Sequence, residues 1–155
     1  MTYEIDPSYL QFVQHIVRNR TVYTLLDEEE YYAECPSAFY DDKLGEPFMV
    51  SCFWHSANDA QLCCTQEWAD YCISEIDLEE FMFEVLLDLH EAKHLIGVAF
   101  DGELYGSEVE PINLLSDLLD EIHQQGLQDQ FPNLSDLYRY CQEWQTLMDK
   151  PDIIH

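Results

Sequence analysis

Thirty-two Asp and Glu side chains against six Lys and Arg give this chain a formal net charge of -26, yet 47% of its residues are hydrophobic. That combination decides what it can fold into. A chain stays unfolded when high charge comes with low hydrophobicity, and only the first condition holds here. The apolar residues must gather into a core, and the carboxylates must cover its outside. Such a surface repels nucleic acid and anionic membranes and attracts basic partners.

The length of 155 residues suits a single domain over 1–155. A chain of this size buries roughly 70% of the surface its unfolded form exposes. No apolar run approaches the ~20 residues of a membrane helix. The start, Met1-Thr2-Tyr3-Glu4-Ile5-Asp6, lacks the basic-then-apolar order of a signal peptide, so a cytoplasmic location is expected. The six cysteines, Cys35, Cys52, Cys63, Cys64, Cys72 and Cys141, form no C-x-x-C pair. Reduced thiols without disulfides are expected.

Periodicity places the elements. Asp6-Pro7 opens a helix through Tyr9, Phe12, Val13, Ile16 and Val17. Thr21 to Leu26 reads as a strand, Asp27 to Glu30 as a turn, and Tyr31 to Glu34 as a returning strand. Pro36 to Pro47 reads as a surface loop, and Phe48 to Trp54 is the best strand in the chain. Ser56 with Asp59 caps a short helix, and Asp77 with Glu80 caps a longer one running to about His94. Leu95 to Phe100 is a strand, Asp101-Gly102 a turn, and Pro111 opens a helix that Gly126 ends. Asn133 caps a last helix through Leu137, Trp144 and Met148. The expected fold is α+β: a small antiparallel or mixed sheet flanked by helices, with a C-terminal helical extension over 133–150.

Several of these pieces fall in a recognisable order. The helix from Tyr9 to Val17 is followed by Val22-Tyr23-Thr24-Leu25 and by Phe53-Trp54 ahead of a short helix. Then come Glu67-Trp68-Ala69-Asp70-Tyr71 and Ile76-Asp77-Leu78-Glu79-Glu80-Phe81, with the strand from Leu95 and the helix near Pro111 closing the series. From about 9 to 119 the chain resembles the bacterial domain of unknown function 2750, a family of small proteins. Family members tend to place Pro after the strand Trp, where this chain has His55, and their first hairpin is less acidic and shorter. The resemblance implies a compact mixed fold with a few antiparallel strands and flanking helices. It implies no reaction.

Four constellations bear on function. His90-Glu91-Ala92-Lys93-His94 matches H-E-x-x-H, in which two His one helical turn apart hold zinc and the Glu activates water. Lys93 between the two His, the early Gly97 and the lack of a spaced third ligand among Glu103, Glu108 and Glu110 argue for a plain helix end with exposed His. His55 near Cys52 and Cys63-Cys64 could form a thiol–imidazole pair, but buried structural thiols fit better. Trp54, Glu67 and Trp68 could line a ligand pocket or pack a core. The acidic runs, chiefly Asp27-Glu28-Glu29-Glu30 and Asp41-Asp42, lack calcium-loop spacing. In number, the net charge matches the ~23 phosphates of a ~40 Å duplex, so DNA mimicry is possible.

No Gly-rich phosphate loop or long basic stretch is present. The expected function is therefore non-enzymatic and cofactor-free: binding of a basic protein partner, as an immunity protein or an inhibitor of the DNA-mimic type. The partner would meet Asp27, Glu28, Glu29, Glu30, Asp41 and Asp42, without direct contact to nucleic acid or membrane. The alternatives are a small-ligand-binding housekeeping domain and a zinc-dependent hydrolase built on His90, Glu91 and His94.

Overall fold

The computed structural model describes residues 7–101 and 106–143. The expected cap Asp6, the possible ligand Glu103 and the end of the last helix, with Trp144 and Met148, lie outside them. Six strands and five helices occur among the described residues. In chain order they are α1 (Pro7–Asn19), β1 (Thr21–Leu26), β2 (Glu34–Asp41), β3 (Pro47–Trp54), α2 (Ala57–Leu62), β4 (Cys72–Asp77), α3 (78–91), β5 (Leu95–Val98), β6 (Ser107–Val109), α4 (Pro111–Gln124) and α5 (Leu134–Glu143). The sheet order is β4-β1-β3-β5-β6, with β2 also paired to β3. The β3–β5 pair is parallel and the other pairs are antiparallel. The architecture is α+β, as expected.

The order of apolar residues in β3 explains its central place. From Val50 to Trp54 every residue is buried. A strand covered on both faces needs such a run rather than an alternation. Phe53 enters a large core with Phe12 and Ile16 of α1, Leu78, Phe81 and Leu86 of α3, Leu115 and Leu118 of α4, and Leu137 of α5. Val50, Cys52 and Trp54 point the other way, into a smaller core under α2 and the 3-10 turn Gln66–Trp68. Each fully buried Leu, Ile or Phe contributes about 1.5–3 kcal/mol relative to exposure, so the helical layer dominates stability.

One edge of β3 is shared. Thr24 faces Phe53, and Glu34 faces Ser51. The chain leaves at Leu26, turns through 27–31 and returns at Ala33, which donates to the Leu25 carbonyl (2.8 Å) and accepts from the Cys52 N–H (3.0 Å).

The loop expected from Pro36 to Pro47 is largely strand β2, with a register shift between Pro36 and Asp41; only the 42–46 turn remains. The strand expected over Tyr31 to Glu34 is only a Leu26–Tyr32 bridge followed by the start of β2. β5 stops at Val98, because Ala99 adopts φ 58, in the left-handed region. The caps at Ser56 and Asp77 form as expected, each side chain accepting a first-turn N–H. Asn133 precedes α5 with φ 68 rather than in extended cap geometry.

Gly97 shows how tightly the smaller core is built. A Cβ there would lie 2.8 Å from Val50 Cγ1 and 3.0 Å from both Cys52 Sγ and Phe100 Cε1. Forcing a methyl into a packed interior costs ~1–3 kcal/mol. Gly97→Ala should lower the urea midpoint accordingly with an unchanged m-value; an unshifted midpoint would show that Phe100 does not close on the sheet here.

Candidate functional site

The H-E-x-x-H letters do not make a site. The helix α3 ends at Glu91 with Ala92 as its C-cap, and Lys93 turns the chain with φ 62. His90 is buried, not exposed as expected, with its ring against Tyr140. His94 has left the helix. Its Nδ1 lies 3.3 Å from Ser51 Oγ and 3.4 Å from Glu34 Oε2. The two His therefore share no helix face. Among the described residues no group of three His, Cys, Asp or Glu is placed to hold a metal.

Ser51, His94 and Glu34 carry the letters of a hydrolytic triad. Catalysis needs the serine on one imidazole nitrogen and the acid on the other. Here both meet Nδ1, and Ser51 is buried. The cluster ties β2, β3 and the entry to β5 together.

Trp54 and Trp68 are core residues, their rings edge to face at 6.1 Å. The Trp54 indole N–H donates to the Phe100 carbonyl (2.8 Å), which also accepts from the Cys63 thiol (3.2 Å). Glu67 is exposed. The Cys–His pair is also absent: His55 meets His15 and Asp59. Burial pushes the Cys63 thiol up to about 11 and holds Cys52 well above its ordinary value. Cys35 is the exception. A hydrogen bond with Cys52 draws its thiol below the ordinary value, against burial and the carboxylates of Glu108, Glu34 and Glu67. All six cysteines are free.

Of the three residues that the sequence offered for a pocket, Trp54 lines a cleft of about 210 Å³. Ser8 and Gln11 of α1 line it from one side, His55, Asp59 and Leu62 from the β3–α2 junction, and Ala99, Phe100 and Asp101 from the end of β5. Ala99's left-handed φ brings Phe100 back beneath the junction. Behind the cleft, His15 Nδ1 lies 3.2 Å from His55 Nδ1, and His55 Nε2 lies 3.5 Å from Asp59 Oδ2. A contact between two Nδ1 atoms needs one donor and one acceptor, so both rings cannot be imidazolium.

Burial, and then the neighbouring His15, lower the His55 pKa from its ordinary value; Asp59 opposes them more weakly. In the unfolded chain His55 titrates near 6.5. As pH falls through that value the unfolded chain takes the proton first, so this pair's contribution is present above about 6.5 and is lost below it. The rest of the chain responds to pH alike in wild type and in a His55 variant. The test is therefore a difference: wild type should lose more stability than His55→Asn between pH 7 and pH 5 in parallel urea titrations. Equal losses would contradict it.

The acidic segments form two separate features. In the first turn Asp27 Oδ1 accepts from the N–H groups of Glu29 and Tyr31, both at 2.9 Å, and Glu30 takes φ 67, leaving Glu28, Glu29 and Glu30 exposed. In the second, Asp42 Oδ1 accepts from Leu44 (2.8 Å) and Glu46 (3.0 Å). The eight residues of β2 lie between them. At ~3.3 Å per residue the strand between the two turns spans at most about 26 Å. The first turn shares its field with Glu34, which the sequence did not single out, and with Glu67, which it offered only for a pocket with Trp54 and Trp68. Burial, and then the charges of Asp27, Glu34 and Glu67, raise the Tyr71 phenol. Glu34, Glu67 and Glu108 converge likewise on Cys35. Glu67 thus acts together with Asp27 and Glu34 on Tyr71 and with Glu34 and Glu108 on Cys35.

An α+β domain with a two-sided core and a strongly negative face is the class this geometry defines. The family model described as protein of unknown function (DUF2750) matches residues 9–118, most of the chain, and the chain belongs to that family. The match covers every strand, the His15–His55 pair and the acidic first turn. No curated protein and no solved structure matches the chain.

Proposed function

We propose that this domain is non-enzymatic and binds a basic protein partner through its acidic surface. The observation that carries the reading is the turn in which Asp27 accepts from the Glu29 and Tyr31 N–H groups and leaves Glu28, Glu29 and Glu30 side by side in solvent. Like charges held together weaken the fold, and what they gain is a focused negative potential. The Arg side chains that pair with carboxylates, Arg20 with Glu79 and Arg139 with Asp136, do so elsewhere. Exposed Tyr31, 62% accessible, sits beside this face and is the kind of aromatic anchor that interfaces use. Inhibition of a nucleic-acid-binding protein, or neutralisation of a toxin as an immunity protein does, would both use such a face. Direct binding to nucleic acid is disfavoured by the same charge. Among the described residues no helix is long and apolar enough to cross a membrane.

The experiment is capture from the native host at low and at moderate salt. A protein with a basic contact face should be retained at low salt and released as salt rises. A specific partner whose contact face is not basic would overturn the reading. One observation favours the second reading, small-ligand binding: the cleft beside Trp54 and His55. The zinc-hydrolase alternative loses its basis, because His90 and His94 do not share a helix face.

A further inference from the structure

We propose that the cleft between α1, the β3–α2 junction and the end of β5 takes one guanidinium group, an assignment that deepens the reading of a basic partner. Three features select this chemistry. The first is charge. Asp59 and Asp101 both line the cleft and both are exposed. Among the described residues no Lys or Arg lines the cleft. His55 adds no positive charge at neutral pH, because its contact with His15 Nδ1 and its burial favour the neutral ring.

The second feature is shape and size. Pockets for drug-sized ligands run to roughly 300–1,000 Å³. This one, at about 210 Å³, suits a small planar group rather than a nucleotide or a coenzyme. The third is the lining. Leu62 and Phe100 offer apolar surface for the weakly hydrated face of a guanidinium. The carboxylates of Asp59 and Asp101, the Ser8 hydroxyl and the Gln11 amide oxygen supply acceptors for its several N–H donors. An ammonium, as a compact and strongly hydrated charge, would use the carboxylates but not the apolar wall.

The guanidinium can come from an arginine side chain of the basic partner or from a free guanidinium compound. The probe is N-acetyl-arginine amide, titrated into the full chain by NMR with the Trp54 indole N–H as reporter. N-acetyl-citrulline amide, of the same shape without the charge, is the control. Saturable shifts with the arginine probe alone are expected. They should weaken roughly tenfold in Asp59→Asn, where one charge-assisted contact is lost. Leu62→Arg changes an exposed residue, so its fold is secure; it places a cation at the mouth and should block the probe.

Equal response to both probes, or no effect of Asp59→Asn and Leu62→Arg, overturns the proposal. The triple variant Glu28→Gln, Glu29→Gln, Glu30→Gln should bind the probe as wild type does. The source follows from competition. A captured partner that displaces the probe supplies the arginine; a partner that leaves it bound assigns the cleft to a free compound. A null titration beside salt-dependent capture sinks the cleft and leaves the acidic-face reading standing. A positive titration with no basic partner does the reverse.

Discussion

Trp54→Ala should cost about 3–5 kcal/mol of folding stability, the range for removing a large aromatic from a packed interior. Three losses add up there. The ring fills the smaller core, where Trp54 is 1% exposed. Its edge-to-face contact with Trp68 disappears, and such pairs add ~0.5–1.5 kcal/mol beyond buried area. Its N–H no longer reaches the Phe100 carbonyl, although the Cys63 thiol still does. Trp54→Phe separates these losses. It keeps an apolar ring and loses the donor, so it should cost far less than the alanine variant. Urea unfolding at pH 7 reads both. A loss below about 1 kcal/mol for Trp54→Ala would mean that the core under α2 contributes little.

How much of this could be read from the chain depends on where the physical signal was local. β3 and β5 are apolar runs because both faces are covered, and such runs stand out in a sequence. Helix α4 carries Pro111 at its first turn and Gly126, with φ 69, just past its end. β2 was hidden because Pro36, Asp41-Asp42 and Gly45 all speak for a turn, while its pairing comes from β3. β4 was missed for a different reason. Ile73 packs into the smaller core and Ile76 into the larger, so the strand shows neither alternation nor a continuous run. The last residues of H-E-x-x-H looked helical by spacing alone. What breaks the helix is the left-handed backbone at Lys93, which lysine does not announce.

The sites followed the same division. The acidic turn at 27–30 was legible because it is contiguous. Its companions lie on three other elements: Glu34 on β2, Glu67 on the 3-10 turn and Glu108 on β6, whose pairing with β5 carries it to Ser37 and Ala38 of β2. The His15–His55 pair joins residues 40 apart in sequence, and His15 looks like any polar position on α1. One signal did exist: His55 stands where the family tends to place Pro. That departure marks the junction at which the cleft opens.

The measurement that bears most directly on the acidic face is the association rate of the captured partner against salt. Opposite charges steer encounter and raise on-rates by ~10–10³. Salt removes that gain as the Debye length shrinks from about 10 Å at 0.1 M to about 3 Å at 1 M. Replacing Glu28, Glu29 and Glu30 with Gln keeps their shape and removes three charges from the rim. Rim charges act on association more than on dissociation. Stopped-flow mixing should show wild type associating several-fold faster than the triple variant at low salt, with the two curves meeting near 1 M and dissociation rates nearly equal. Equal association rates at low salt would contradict the account.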